Sequence, residues 1–346
     1  MKRPYFHVRN ARLRFSLLLH RQSLSILIGL LLATFAVFVL STGTGQVSIS
    51  PLRVLNVLFG AGTAQDTLIV HSLRLPRTVI AVMIGVSLAM SGAILQGIVR
   101  NPLASPDVIG ITGGASVAAV LFLTKLEGVS IQLLPIAALL GAVLVTALLY
   151  LLSWKNGITP LRLVLIGVGL NAATNSLTTL MTVMSPIYLT ARAVTWMAGS
   201  VYGTNWKVVL YLLPWLVIFL PLAMIFGRSL NAQQLGDEVA TGIGHPVQKH
   251  RVLLLLISVS LAGAAVAAGG AIGFVGLLAP HIGRKLVGPS MGILLPVSGL
   301  VGALIVLLAD WVARTAFAPL DLPVGIFTAA VGAPFFIYLL YTNRNR

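Results

Sequence analysis

The chain has 346 residues, of which 58% are hydrophobic and 9% charged, with no cysteine and a formal net charge of +16. Its apolar residues come in blocks long enough to cross a bilayer's hydrocarbon at about 20 residues per helix, so the length allows about ten crossings and leaves little for a soluble domain. The composition excludes disulfides, thiolate metal sites and cysteine nucleophiles, and it makes membrane topology, not nucleic acid, the reason for the surplus of Lys and Arg.

Residues 1–23 form a basic N-terminus, with Lys2, Arg3, Arg9, Arg12, Arg14 and Arg21 before or beside the apolar run Leu24 to Leu40. That run is longer than a usual signal core, and Ser41-Thr42-Gly43-Thr44-Gly45 makes a weak cleavage site, so retention as a first span is expected over removal. The segment Thr42 to Leu73 then carries Ser50-Pro51 ahead of Leu52-Arg53-Val54-Leu55. A cap and a proline at the first helical position predict a short amphipathic helix there.

Further apolar blocks run from Thr78 to Val99, Val108 to Leu123, Ile131 to Ser153, Leu161 to Met184, Val208 to Phe226, Val252 to Ala271, Ile272 to Leu286, Ile293 to Phe317 and Val324 to Tyr341. The Ile272 block is short and shares a Gly-rich corner with its predecessor. Within that corner Gly269 and Gly273 form a G-x-x-x-G pair, the spacing that lets helix backbones approach closely in lipid. With the N-terminus placed in the cytoplasm and every block crossing, 16 of the 23 lysines and arginines fall inside. The positive-inside rule therefore places both termini in the cytoplasm and requires an even number of spans. The segment from Arg228 to Arg251 becomes the most polar inner loop after the N-terminus.

The chain has seven acidic residues, Asp66, Asp107, Glu127, Asp237, Glu238, Asp310 and Asp321, with no pair spaced for acid–base work or metal binding. No H-E-x-x-H, G-x-S-x-G or G-x-x-x-x-G-K-[ST] occurs, so the chain has no P-loop of its own for ATP. His281 reads as packing more readily than as a ligand. A cation-driven transporter needs an intramembrane carboxylate, and Asp310 is the candidate. Arg314 lies four residues on, on the same helical face, and a structural ion pair accounts for Asp310 equally well.

Three stretches carry a resemblance. Arg74-Leu75-Pro76-Arg77 opens the second span; Gly92-Ala93-Ile94-Leu95-Gln96-Gly97 to Arg100-Asn101-Pro102-Leu103-Ala104-Ser105-Pro106-Asp107 closes it. Near the end, Leu308-Ala309-Asp310-Trp311-Val312-Ala313-Arg314 precedes Leu322-Pro323-Val324-Gly325-Ile326 and Gly332-Ala333-Pro334-Phe335-Phe336. With Gly273-Phe274-Val275-Gly276 and Pro280-His281 between them, and over nearly the whole chain from Leu24, these resemble the FecCD-type permeases, membrane subunits of ATP-binding-cassette importers for iron–siderophores, haem and cobalamin.

The resemblance implies an all-α, polytopic fold of the type II, cobalamin-permease-like class, with about ten transmembrane helices in one permease domain over residues 1–346. It implies a bacterial cytoplasmic-membrane protein, surrounded by lipid and with no nucleic-acid role, that imports a metal chelate, an iron(III)–siderophore before haem or cobalamin. The remaining alternative is a cation-coupled secondary transporter using Asp310. As partners it implies two cytoplasmic ATP-binding subunits, an extracytoplasmic solute-binding protein and a second permease, identical or homologous. No cofactor, metal site or catalytic residue is expected, and ATP hydrolysis falls to the partner.

Two sites follow from the same likeness. In the inner loop, residues 228–251, Leu235, Val239 and Ile243 repeat every four residues on one face. By themselves they read as a helix resting on the lipid interface. Leu235, Gly236, Asp237, Glu238, Ala240 and Gly244 match the family's ATPase-coupling segment, with Leu-Gly-Asp where the family often has Leu-Gly-Glu. At the outer mouth, Arg74, Arg77 and Arg314 match positions that receive acidic residues of the binding protein. From the residues alone, lipid anchoring or neutralisation of Asp310 explains these arginines as well.

Overall fold

The computed structural model describes residues 5–10, 15–45, 47–126, 128–155, 157–318 and 320–342. Lys2, Arg3, Arg12, Arg14, Glu127, Arg344 and Arg346 of the charge count lie outside the described residues. An antiparallel hairpin of β1 (Tyr5–Asn10) and β2 (Phe15–His20) precedes the helices, with Tyr5 opposite His20. The rest is helical: α1 (Arg21–Gly43), α2 (Pro51–Leu58), α3 (Ala64–Thr67), a π-helical turn (Leu68–Arg74), α4 (Leu75–Val99), α5 (Ile111–Lys125), α6 (Leu134–Ser153), α7 (Pro160–Val183), α8 (Ile187–Met197), α9 (Trp206–Gln233), α10 (Asp237–Gly242), α11 (Val247–Gly269), α12 (Val275–Val287), α13 (Met291–Thr315) and α14 (Val324–Thr342).

Eight helical runs among the described residues are long and apolar enough to cross a membrane: α1, 64–99, 131–153, α7, α9, α11, α13 and α14. The other two expected blocks fold as shorter helices, α5 with 15 residues and α12 with 13. The protein is thus a multi-pass, helical membrane protein, and among the described residues a helix stands in the place of each of the ten sequence blocks. The amphipathic helix expected after Ser50 is α2, with Pro51 at its first position. It packs Val54 and Val57 with Ile49, Val39 and Val70 into a small satellite core.

Helix α4 is apolar on every side, and such a helix belongs at the centre of a bundle. It is buried almost along its length and packs against α9, α11, α12 and α13. Burial of apolar side chains gives little association energy in lipid, so close backbone approach and interhelical hydrogen bonds hold such contacts. Small residues recur along one side of α4 at Ala81, Gly85, Ala89 and Ala93, all buried. A Cβ added at Gly85 would meet the Gly302 carbonyl of α13, and one at Gly92 would meet the Gly276 carbonyl of α12. The Ser91 and Ser258 hydroxyls tie α4 to α11, each reaching the other's carbonyl, at 2.8 and 3.1 Å.

The expected Gly269–Gly273 packing face is not formed. Helix α11 ends at Gly269, Gly270 takes φ +73, and residues 270–274 are non-helical, so the two glycines do not share a helix. Backbone without helical hydrogen bonds needs other partners in a membrane. Here the loop after α4 supplies one, because Asp107 accepts from the Phe274 backbone and from the Thr112 hydroxyl at 2.7 Å. The Asn171 side-chain amide of α7 donates to the Asp107 carbonyl, which pins this loop from the other side.

Candidate functional site

The two predicted sites lie at opposite ends of the bundle. At one end, α9 runs on to Gln233 and α11 begins at Val247, so the loop expected over 228–251 shortens to the residues between them. It holds α10, which starts at Asp237 after Gly236 at φ +102, a conformation that favours glycine. Asp237 accepts from Arg251 of α11 at 2.8 Å and pairs with Arg100, at the end of α4, at 3.1 Å. Arg251 is fully buried and donates its other arm to the Ile158 carbonyl at 2.6 Å. The Arg251 hydrogen bond, reinforced by the charges of Arg251 and Arg100, holds the Asp237 carboxyl below its ordinary value, against a smaller opposing effect of burial.

Around this anchored base an apolar stripe faces outward, with Val239 on the short helix, Leu235 just before it and Ile243 just after it. Leu235 is 60% exposed, Val239 53% and Ile243 65%. Glu238 and Gly244 are exposed beside them, whereas Ala240 is fully buried beneath. Of the six coupling candidates, Leu235, Glu238 and Gly244 therefore offer surface, and Gly236, Asp237 and Ala240 position it. Next to the loop, His245 lies 2.8 Å from the Ser229 hydroxyl and 3.1 Å from His250. Burial first, and the His250 charge second, hold the His245 imidazole below its ordinary value.

At the other end the structure brings Arg74, Arg77 and Arg314 into one network around the end of α1. Arg74 donates to the carbonyls of Gly43 at 2.9 Å, Thr42 at 3.2 Å and Val47 at 2.6 Å. Arg314 donates to the Thr44 carbonyl at 2.5 Å, the Ser41 hydroxyl at 2.7 Å and the Ser41 carbonyl. These carbonyls include the last of α1, which have no partner within their own helix. Arg77 holds Asp310 at 2.8 Å and Asp321 at 2.9 Å, and its guanidinium lies 5.8 Å from the centre of the Tyr202 ring.

Asp310 is fully buried between Arg77 and the Arg314 Nε at 3.5 Å. Two cations against one carboxylate make this a held ion pair, a poor place for a carboxyl that must take up and release a transported cation. All three arginines are only partly exposed, with their donors turned into the protein. Among the described residues no group of three or more His, Asp or Glu side chains gathers as a metal site.

Sequence reasoning missed the clasp on Asp237. Arg100 and Arg251 lie far apart in the chain, and nothing local to either residue signals that both meet one carboxylate.

Comparison with known proteins agrees with this architecture. The profile of the FecCD transport family matches residues 30–342. A Bacillus subtilis protein named "Probable siderophore transport system permease protein" is 51% identical over 326 residues, covering 92% of this chain and 94% of that protein. The iron(3+)-hydroxamate import system permease of the same organism is 44% identical over 311 residues, covering 88% and 93%. A solved inward-facing structure, assigned to the metal-chelate type of ABC transporter, aligns with a TM-score of 0.83 at 33% identity, covering 92% of this chain and 99% of that one.

Proposed function

The chain belongs to the FecCD transport family, and from that premise we propose that it is the permease subunit of an ATP-binding-cassette importer for a metal chelate, an iron(III)–siderophore. The observation that carries the reading is α10: a short helix clamped through Asp237 to two neighbouring helices while its apolar stripe stands exposed. A rigid base under an unpartnered apolar face suits transmission of force from a partner that does the chemistry. Two ATP-binding subunits would dock on that face, and their hydrolysis would switch a permease dimer, identical or homologous, between outward- and inward-facing packings.

In this arrangement residues 1–346 act as one permease domain in a bacterial cytoplasmic membrane. Both termini and the coupling loop lie inside, and the permease itself hydrolyses nothing. The purified chain should show no ATPase activity and should copurify with a P-loop subunit; turnover by the homogeneous chain in nanodiscs would refute this. The opposite mouth would receive the cargo-loaded binding protein. Arg74, Arg77 and Arg314 are proposed as its docking residues, guanidinium being suited to carboxylate partners.

A second reading of the arginines has its own support, since their donors already serve α1, Asp310 and Asp321. They would then shape the mouth without touching the partner. Charge reversal at Arg74 and Arg314 together separates the two. Under direct docking, the variant keeps basal ATP hydrolysis and loses stimulation by binding protein, with partial rescue by reversed partner acids. Under the structural reading, the variant loses thermal stability and no partner change rescues it.

A further inference from the structure

At the end of the bundle away from α10 lies a cavity of about 920 Å³, beside the mouth through Tyr202 but lined by none of the three arginines proposed for docking. Its walls include Arg192 and Trp196 on α8, Asn205, Lys207 and Tyr211 around the start of α9, and Gln132 just before α6. No carboxylate is among the lining residues, and the ion pairs of the described residues all involve other cations. Among the described residues the cavity therefore presents two positive charges with no ion-pair partner, set among amide and aromatic groups.

A second cavity of about 220 Å³ continues it, sharing Gln132, Pro135, Val208 and Tyr211. This one is apolar and lies between α6, α9 and α11, lined further by Leu139, Leu212 and Trp215. Its rim residue Ile136 is 54% exposed, so the slot opens sideways onto the surface of two membrane-spanning helices. Lys207 stands in the first turn of α9, and Trp215 lies eight residues further along it. At 1.5 Å per residue the floor of the slot is about 12 Å deeper than the cationic chamber. The headgroup layer is about 5–8 Å thick per leaflet, so with the chamber at phosphate level the floor of the slot lies a few Å inside the hydrocarbon, at the depth of an acyl chain.

We propose that these joined cavities bind one anionic phospholipid of the leaflet at that end, its phosphate between Arg192 and Lys207 and one acyl chain in the slot between α6 and α9. The Arg192 guanidinium provides a fork for phosphate oxygens, Lys207 a second charge, and Trp196 and Tyr211 the aromatic setting found at membrane interfaces. A soluble anionic chelate would match the cations and leave the slot unfilled. The inference is independent of the importer reading, because it needs only the membrane.

Native mass spectrometry of the full chain, titrated with phosphatidylglycerol or phosphatidylcholine, tests it. The wild type should retain phosphatidylglycerol preferentially. Arg192→Gln with Lys207→Gln should lower that affinity at least tenfold and leave phosphatidylcholine binding unchanged. Ala268→Leu, which narrows the slot, should weaken binding of the diacyl lipid and spare binding of glycerol phosphate; it also decides the matter should the charge variant fold poorly. Equal retention of both lipids, or unchanged phosphatidylglycerol affinity in both variants, overturns the proposal. Displacement of the lipid by ferric citrate at comparable concentration overturns it too, and makes the chamber a cargo site.

Discussion

Asp310 and Asp237 do different work with the same chemistry. Asp310 is fully buried, and its charge is tolerated because Arg77 and Arg314 face it. Removing one partner of a buried pair leaves an uncompensated charge and costs about 3–5 kcal/mol, whereas replacing the pair by apolar groups is often neutral. Arg77→Met should therefore lower the melting temperature in detergent markedly, and Arg77→Met with Asp310→Leu should recover much of the loss. A double variant no better than the single would mean that the pair is not the determinant. Asp237 sits at the surface, and its carboxyl is held low by Arg251. A carboxyl with a depressed folded-state pKa stabilises above its unfolded value, about 3.9, and loses that contribution as pH falls through the folded value. The stability gap between wild type and Asp237→Asn should thus be widest near neutral pH and close below about pH 4. The charges themselves were legible in the sequence; their partners were not. Asp310 with Arg314 follows from helical spacing, but Arg77 lies 233 positions away from Asp310.

At the scale of elements, α10 and α4 set the demands. The exposed stripe around α10 predicts that Val239→Asp leaves expression and melting unchanged but cuts ATPase-subunit affinity by roughly thirtyfold, the loss that marks an interface hot spot. Glu238→Lys should act similarly through charge. Ala240→Arg is a different experiment, since Ala240 is fully buried and the variant should unfold the loop before it tests any surface. Unchanged copurification in both surface variants would remove α10 from the interface. In α4, Gly92→Leu should abolish folded protein, because a side chain there meets the Gly276 backbone. Gly292→Ala in α13, where nothing lies within 4 Å, should be neutral or slightly stabilising. The apolar blocks gave the helices because span length and hydrophobicity are local properties. The small-residue row from Ala81 to Ala93 was equally visible in the sequence, but the nearby Gly269–Gly273 spacing pointed to the wrong pair. Its helix stops at Gly269, where the chain turns to meet the loop carrying Asp107; the Gly269-Gly270 dipeptide and the Gly-rich corner signal that stop, against the helical G-x-x-x-G spacing.

For the whole molecule, the account assigns energy to a partner and passage to this chain. The sequence has no P-loop, so the proposed division gives ATP hydrolysis to a partner, and the clasped Asp310 leaves no free carboxylate for ion coupling among the described residues of α13. Two sources of drive can then be told apart in one assembly. The complete transporter, reconstituted with its ATP-binding subunits and binding protein in proteoliposomes, should take up labelled iron(III)–siderophore when ATP is supplied on the side of α10, at a rate unaffected by collapse of the proton and sodium gradients. Asp310→Asn should retain that dependence on ATP in whatever fraction folds. Uptake that persists without ATP and follows an imposed proton or sodium gradient would contradict the account and return Asp310 to the centre of the mechanism.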